Sequence, residues 1–229
     1  MSRIGFLGTE PQLATTPSCM FYLRGGVHGE TNLRDWSPYK RTVTNIGITS
    51  SSTVTPRLPQ GSLYLNGSSA ATFPYSSELT VNTNDCLVGF WWYPTSTATQ
   101  YLMYFGAAGD ATNRWGLLFY NQHLTLVNSG SLYGESTTSV TQNAWNHIMF
   151  YKKSGHVYFY NKGVQKSDDT LAALMVPSTT VTFGRYGYDS TYYTNGYFDE
   201  VVMFVPSITK TIPTPTQLWE LAQRRRLIL

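Results

Sequence analysis

The sequence predicts an all-β domain, a sandwich or barrel of short strands, followed by one short C-terminal helix. From about residue 19 to residue 205, short runs rich in β-branched and aromatic residues alternate with clusters of turn-forming residues, a pattern typical of such folds. No long helical period occurs before residue 213. The 229 residues are enough for one large β domain.

The strand signals appear in order along the chain. Two segments also predict β-hairpins, one turning near Asn121–Gln122 and the other at Lys153-Ser154-Gly155. The predicted strands lie in CMFYL, GSLYLNGSSAATF, CLVGFWWYP, QYLMYFGAAGD, RWGLLFYNQHLTLVNSG, AWNHIMFYKKSGHVYFYNKGVQKS, TTVTFGRYG and GYFDEVVMFV.

The helix signal lies in TPTQLWELAQRRR. Thr214 can cap the helix, Pro215 suits its first position, and Gln217 stands three residues after the cap, which together form a capping box. The sequence therefore divides into an N-terminal arm (1–17), a β-sandwich (18–206) and a C-terminal helix and tail (207–229).

Composition narrows the class of protein. Charged residues make up only 13% of the chain, about half the usual share of roughly 25%. The net charge of +3 resides in the consecutive Arg224, Arg225 and Arg226, since the rest holds 13 basic and 13 acidic residues. The body is therefore neutral, which argues against nucleic-acid binding, and its apolar runs are too short for a membrane span.

The start of the chain bears on location. MSRIGFLGTEPQ lacks the apolar segment of a secretory signal. A hydroxyl-rich surface without an export signal favours a virion protein, with an extracellular protein as the alternative. Cys19 and Cys86 form no metal motif and are expected to be buried thiols, although one disulfide between them remains an alternative.

Asp199 and Glu200 adjoin within an apolar strand segment. Because neighbours on a strand point to opposite faces, Asp199 is predicted to share a face with Val201, Met203 and Val205. Glu200 is predicted to share the other face with Phe198, Val202 and Phe204. The two acids then cannot act on one substrate, and Asp199 is interpreted as a structural acid, with calcium ligation a lesser alternative.

Four of these segments, in order, resemble a known family: GSLYLNGSSAATFPYSSEL, CLVGFWWYP, AWNHIMFYKKSGHVYFYNKG, and VTFGRYG through NGYFDEVVMF. They are similar to the concanavalin A-like lectin/glucanase sandwich, in its laminin-G/pentraxin-like branch, over roughly residues 20–205. The resemblance implies a jelly-roll of two antiparallel sheets, with Trp91 and Trp145 in or near the core. It also implies that Asp199 is a structural acid and that Asp35, in NLRDWSPY, shapes a loop near the first strand.

Retaining glucanases on this fold carry E-x-D-x-x-E on one strand, and glycoside hydrolysis needs two carboxyls about 5–10 Å apart. None of the 13 acidic residues forms that pattern. His28, His123, His147 and His156 lack a clear nucleophile partner in the sequence. The chain is therefore predicted not to be an enzyme and to need no cofactor. Calcium, with Asp35, Asp110 and Asp189 as contributing ligands, is left open but not expected.

Aromatic residues suggest a binding surface. The segment RYGYDSTYYTNGYF concentrates tyrosines, and rings with neighbouring polar groups suit both sugars and protein interfaces. Trp115 fits either the surface or the core. The predicted glycan- or partner-binding residues are Tyr186, Tyr188, Asp189, Tyr192, Tyr193 and Trp115.

The termini look like docking extensions, as in lectin-like domains of tailed-bacteriophage virions. The main hypothesis is therefore a non-enzymatic bacteriophage structural protein, a capsid decoration or tail component, that forms a homo-oligomer, contacts other virion proteins and binds surface glycans. The alternatives are a free carbohydrate-binding lectin module and a divergent polysaccharide hydrolase or lyase. The predicted assembly residues of the tail are Trp219, Arg224, Arg225, Arg226, Leu227 and Leu229.

Overall fold

Two antiparallel β-sheets face each other in a sandwich, and one α-helix follows them. This computed structural model describes residues 18–26, 29, 31–54, 61–106, 112–134, 140–177, 179–187, 191–206 and 211–226. The predicted arm (1–17) lies outside the described residues, as do Leu227 and Leu229.

Within the described residues there are sixteen strands, a 3₁₀ turn at Ser77–Leu79 and the helix α1 at Pro215–Arg226. The strands are β1 (Cys19–Leu23), β2 (Thr44–Ile46), β3 (Thr49–Ser51), β4 (Ser62–Asn66), β5 (Ala70–Pro74), β6 (Cys86–Pro94), β7 (Gln100–Phe105), β8 (Trp115–Tyr120), β9 (His123–Asn128), β10 (Ser131–Gly134), β11 (Asn146–Lys153), β12 (His156–Asn161), β13 (Val164–Gln165), β14 (Asp169–Thr170), β15 (Thr180–Phe183) and β16 (Asn195–Phe204).

The nine-stranded sheet has the order β13-β12-β11-β6-β16-β4-β3, with β1 also paired to β16 and β14 to β12. The seven-stranded sheet has the order β10-β9-β8-β7-β15-β5-β2. Apolar side chains from the inner faces of both sheets fill one core, as expected for face-to-face sheet packing. The fold is thus the two-sheet antiparallel sandwich that the sequence predicted.

The predicted hairpins are confirmed. Strands β8 and β9 turn at Asn121 (φ 49°) and Gln122 (φ 66°), and two successive positive φ values match the twist of the flanking strands. Strands β11 and β12 turn at Ser154 and Gly155. The segment GSLYLNGSSAATF forms two strands in opposite sheets, because β4 pairs with β16 whereas β5 pairs with β15.

Strand β16 departs from the predicted alternation. Asp199 pairs with Trp91 and Val202 pairs with Gly89, so Glu200 and Val201 together oppose Phe90 in a β-bulge. Glu200 adopts φ 49°.

The bulge overturns the predicted faces. Phe198 now shares the inner core with Val201, Met203 and Val205, whereas Val202 and Phe204 point to the opposite side. Alternation therefore does not separate the two acids as predicted. A shared surface site is still disfavoured, because Asp199 is 0% exposed and Glu200 8% exposed.

The capping box is confirmed. Thr214 N–H donates to Gln217 Oε1 (2.8 Å), and Gln217 N–H donates to Thr214 Oγ1 (3.2 Å). Helix α1 then packs on the outer face of the nine-stranded sheet, where buried Leu218 joins Tyr22, Leu87 and Phe204. None of the helices in the described ranges is long and apolar enough to cross a membrane.

Trp219, one of the predicted assembly residues of the tail, is partly buried. Its ring lies 5.8 Å from the ring of Trp91 and 5.2 Å from that of His147, centroid to centroid. It also covers Gly163, where an added Cβ would approach the indole to 2.6 Å. Trp219 therefore packs against its own domain, because the outer face of the sheet is apolar there. The predicted assembly arginines 224–226 end helix α1, and only their backbone is described.

Candidate functional site

Asp35 organises the loop that follows β1. Its Oδ1 accepts the backbone N–H groups of Tyr22 (3.0 Å) and Ser37 (2.9 Å). Its Oδ2 accepts the Ser37 hydroxyl (2.9 Å) and the Arg41 N–H (3.0 Å). Asp35 is only 7% exposed, and hydrogen bonds from the protein replace those that its carboxylate would make to water. A charged group can be buried at low free-energy cost only when it is hydrogen-bonded in this way. These bonds fasten residues 35–41 to the first strand.

Arg41 completes this anchor. Its guanidinium lies 3.8 Å from Asp35 Oδ2, and it donates to the Met20 carbonyl and to Ser76 Oγ. Desolvation lowers the pKa of Arg41, while attraction to Asp35 acts in the opposite direction. Since an arginine stays protonated even so, the two residues form an ion pair whose side chains are both buried.

The anchored loop displays two aromatic rings. Trp36 is 41% exposed and Tyr39 is 39% exposed. The guanidinium carbon of Arg24 lies 4.3 Å from the centroid of the Trp36 ring, and that of Arg41 lies 4.5 Å from the centroid of the Tyr39 ring. Cation–π contacts at such exposed sites stabilise the observed ring positions by about 0.5–1 kcal/mol each. The loop therefore presents preoriented aromatic surface to solvent.

Trp36 borders a cleft of about 240 Å³. This volume is slightly below the roughly 300–1,000 Å³ typical of small-molecule pockets, so the cleft suits one or two sugar rings better than a large cofactor. We call it the Trp36 cleft. Its lining residues are Arg24, Gly25, Gly26, Thr31, Asn32, Leu33, Arg34, Trp36, Ile48, Thr49, Ser50 and Leu63.

The base of the Trp36 cleft is rigid. Ile48 and Leu63 belong to the buried core. Gly25 lies so close to the residue that precedes β4 that an added Cβ would be 2.1 Å from the carbonyl oxygen of Gly61. The side-chain amide of Asn45 donates to the carbonyls of Thr31 (2.5 Å) and Ile48 (2.8 Å), which ties the outer wall to the base.

The walls of the Trp36 cleft are polar and positively charged. Thr31 and Asn32 are exposed and offer hydroxyl and amide groups, while Ser50 Oγ accepts the Gly26 N–H (2.8 Å). Arg24 and Arg34 supply the cations, and none of the described residues that line the cleft is acidic. Such a cleft can stack one ring on the indole and hydrogen-bond to polar substituents around it.

Two of the predicted tyrosines, Tyr186 and Tyr192, lie beside Tyr101 on the outer face of the seven-stranded sheet. Tyr186 stacks on Tyr101 at 4.5 Å and meets Tyr104 edge-on at 5.2 Å, so it mainly packs a loop onto the sheet. Tyr193 is half-buried and accepts a hydrogen bond from Arg185 (3.2 Å). Tyr192 is 52% exposed, which makes its ring the most solvent-accessible of the described tyrosines in the predicted binding set. Tyr188 and Asp189 lie outside the described residues.

Trp115 does not belong to a binding surface. It is 0% exposed and stacks on Phe105 with the ring centroids 3.8 Å apart and the planes at 7°. The prediction that Trp115 is a binding residue is wrong, because Trp115 is the first residue of β8 and its side chain belongs to the core. Asp199 is likewise fully buried, and its Oδ1 accepts the Glu200 N–H (2.9 Å).

The Trp36 cleft was missed by the sequence prediction. The motif NLRDWSPY was singled out for Asp35, but the exposure of the neighbouring Trp36 depends on how the loop folds. No group of three His, Cys, Asp or Glu side chains that could hold a metal occurs among the described residues. Asp110 and Asp189, two of the three acids considered for calcium, lie outside them.

The fold and the cleft define a class: a lectin-type β-sandwich with a small aromatic surface site. The sequence model of the concanavalin A-like lectin/glucanases superfamily matches residues 80–211, more than half of the chain, and the chain belongs to that family. The Trp36 cleft lies N-terminal to the matched region. No curated protein sequence is significantly similar to the chain.

Solved structures share the fold. Domain 4 of AbnA, an extracellular arabinanase from Geobacillus stearothermophilus solved with arabinotriose, has a TM-score of 0.61 at 22% identity, and the match covers 80% of this chain and 88% of that domain. The binding domain of Paraclostridial Mosquitocidal Protein 1 has a TM-score of 0.68 at 14% identity, and the match covers 90% of this chain and 52% of that domain. The binding domain of botulinum neurotoxin serotype D has a TM-score of 0.65 at 13% identity, and the match covers 90% of this chain and 52% of that domain.

The chain thus spans about half the length of the toxin binding domains that it resembles. At these identities the likeness establishes the fold alone.

Proposed function

We propose that this protein is a non-catalytic carbohydrate-binding module and that the Trp36 cleft is its binding site. The observation that carries the proposal is the exposed indole of Trp36, held in place by Arg24 and by the Asp35 anchor, at the edge of a polar cleft. Ligand sites in proteins combine such aromatic surface with a few convergent polar groups in a concavity. A sugar ring has an apolar face of C–H groups for the indole and hydroxyls for the cleft walls.

The structural neighbours support the same class of ligand. The arabinanase domain was solved with arabinotriose, and another neighbour is a botulinum neurotoxin type C whose cell entry depends on two ganglioside molecules. The toxin domains support the proposal less directly, because this chain matches only about half of each.

Two features favour binding without hydrolysis. Glycoside hydrolysis needs two carboxyls on either side of the scissile bond, and the described lining of the Trp36 cleft offers none. Asp35, the nearest acid in the sequence, is buried and fully engaged by the loop that it anchors.

The test is a glycan array followed by calorimetric titration of the strongest hit. Trp36→Ala should weaken binding about 30-fold, since removing a central aromatic contact costs about 2 kcal/mol. Tyr192→Ala, which removes an exposed ring from the opposite sheet, should leave the affinity unchanged. A loss of binding in Tyr192→Ala but not in Trp36→Ala would place the site on the tyrosine surface and refute the assignment of the cleft.

Attachment to a virion and assembly into an oligomer remain predictions from the sequence. Trp219 packs onto the domain itself but is only partly buried, so its predicted assembly role stays a prediction.

A further inference from the structure

We infer that the glycan site extends from the Trp36 cleft across the outer face of the nine-stranded sheet, along a row of aromatic side chains, and that its ligand is an extended oligosaccharide chain. This inference rests on the proposed function and specifies its ligand. The row consists of Tyr64 on β4, Tyr197 on β16, Tyr93 on β6 and Trp145, which directly precedes β11. We call it the aromatic row.

The register of the sheet places these rings side by side. Tyr197 is paired with Tyr64 on one side and with Tyr93 on the other, and directly opposed residues of neighbouring strands share a face. The ring centroids of Tyr64 and Tyr197 lie 4.9 Å apart, and those of Tyr197 and Tyr93 lie 5.9 Å apart. The centroid of Trp145 lies 5.7 Å from that of Tyr93. Phe198, the next residue along β16, belongs to the inner core, so the row faces outward.

The aromatic row begins beside the Trp36 cleft. Thr49, one of the residues that line the cleft, is paired directly with Tyr64, the first member of the row. Because the cleft suits one or two sugar rings, a longer chain has to continue over a neighbouring surface. From this point the row crosses the strands, which lie about 4.8 Å apart, and an extended chain of pyranose rings advances by a similar step per residue. The row therefore offers about one contact per sugar residue.

The phenol hydroxyls of the aromatic row are available to a ligand. Tyr64 and Tyr93 are half-buried, and Tyr197 between them is 9% exposed. No hydrogen bond joins any of the three hydroxyls to the described part of the chain, and none of them is a buried oxygen. Burial raises the pKa of Tyr197, and the nearby phenols of Tyr64 and Tyr93 add to this effect, so the hydroxyl stays protonated at neutral pH. Each phenol can therefore both donate and accept a hydrogen bond.

The aromatic row lies between a polar strip and helix α1. On one side, Asn195 is paired with Asn66 and accepts a hydrogen bond from the Thr95 hydroxyl (2.8 Å). Since Asn195 stands two residues before a member of the aromatic row on the same strand, these polar side chains border the row on the same face. On the other side, Trp219 of the helix packs on Trp91. The row is thus a bounded track across the sheet.

The chemistry of this track favours a polyhydroxylated chain over a protein partner. The cores of protein interfaces are enriched in Met and Arg as well as in aromatic residues, and neither Met nor Arg belongs to the aromatic row or its polar border. Tyrosine and tryptophan combine apolar ring surface with a polar group, and a sugar likewise combines C–H groups with hydroxyls. The part of the chain that lies over the row is therefore expected to be uncharged.

The experiment compares short and long members of neutral oligosaccharide series on the full chain. The disaccharides and hexasaccharides of the β-1,4-glucan, β-1,4-xylan and α-1,5-arabinan series are titrated by calorimetry. The variants Tyr64→Phe and Tyr93→Phe remove one hydroxyl each and keep the ring. Tyr192→Phe is the matched control, because its ring is exposed on the outer face of the other sheet.

We expect the hexasaccharide of the preferred series to bind at least ten-fold more tightly than the disaccharide. Tyr64→Phe and Tyr93→Phe should each weaken hexasaccharide binding about five-fold, the equivalent of about 1 kcal/mol for one hydrogen bond. Both variants should bind the disaccharide like the parent protein, since the cleft is intact. Tyr192→Phe should leave the affinity for both lengths unchanged.

The outcomes separate this inference from the proposed function. If both lengths bind equally tightly and the two Phe variants have no effect, while Trp36→Ala abolishes binding, the extension is wrong and the proposed function stands. If the array and the titrations detect no glycan that binds, the proposed function falls and the extension with it.

Two further results would overturn the inference. If hexasaccharide binding is weakened by Tyr64→Phe but unchanged in Trp36→Ala, the aromatic row is a separate site and its continuity with the cleft is refuted. If light scattering detects a dimer that Tyr93→Arg abolishes, the row is a contact between two copies of the chain.

Discussion

Replacing Asp35 by asparagine tests whether one buried carboxylate holds the Trp36 loop in place. Asparagine has nearly the same shape but only one acceptor oxygen. If that oxygen occupies the Oδ1 position, the bonds from the N–H groups of Tyr22 and Ser37 survive. The NH₂ group then faces the Arg41 N–H and guanidinium, which are donors, where Oδ2 formerly accepted.

The expected cost follows from burial. The side chains of Asp35 and Arg41 are 1% and 8% exposed, and removing one partner of a buried ion pair costs about 3–5 kcal/mol. For a domain of this size, each kcal/mol shifts the melting temperature by about 2–4 °C. Asp35→Asn should therefore lower the melting temperature by about 10 °C.

The assay is thermal and urea unfolding at pH 7, followed by glycan titration at a temperature where the variant is folded. Asp168→Asn is the matched control, because its carboxylate also has a close partner, His156 at 2.8 Å, but is 50% exposed. The control should change stability by less than about 1 kcal/mol. Equal melting temperatures for Asp35→Asn and the parent protein would refute the reasoning that Asp35 anchors the loop.

Two further predictions concern helix α1 and strand β6. Leu218→Ala should lower the free energy of unfolding in urea by about 2–5 kcal/mol, because Leu218 is only 4% exposed where it packs on the sheet. Thr216→Ala, at an exposed position of the same helix, should leave that free energy nearly unchanged. Equal effects of the two substitutions would contradict the packing of α1 on the sheet. Burial raises the pKa of Cys86 from 9.0 to about 12, so at pH 8 iodoacetamide should alkylate this thiol far more slowly in the native protein than in guanidinium chloride, as measured by mass spectrometry. Rapid alkylation of the native protein would show that the sheet opens around Cys86 in solution.

The strands could be predicted because their signals are local. CLVGFWWYP became β6 (Cys86–Pro94), and the turn residues Asn121 and Gln122 joined β8 to β9 as expected. The capping box at Thr214 was equally visible, since it depends on residues three apart. Asp35 was identified from the resemblance of its motif, and its hydrogen bonds suit a loop-shaping acid.

The misses share a physical cause. Alternation along β16 failed at the Glu200 bulge, because a bulge is set by pairing with β6 and leaves no clear mark in the strand's own sequence. Trp115 and Trp36 are both tryptophans beside polar residues, yet one is 0% exposed and the other 41% exposed. Which ring faces solvent depends on what the opposite sheet and the neighbouring loops cover.

The sequence by itself determined the all-β class, most of the strands, both hairpins and the terminal helix, because each follows from periodicity, turn chemistry or capping within a short window. Only the tertiary structure decided that Trp219 packs on its own domain and that Trp36, Arg24 and Arg34 meet at one cleft. That cleft joins the segment after β1 to Ile48, β3 and β4, and its lining residues span positions 24 to 63. Such a site arises from contacts between distant segments, and no local pattern in the chain records it.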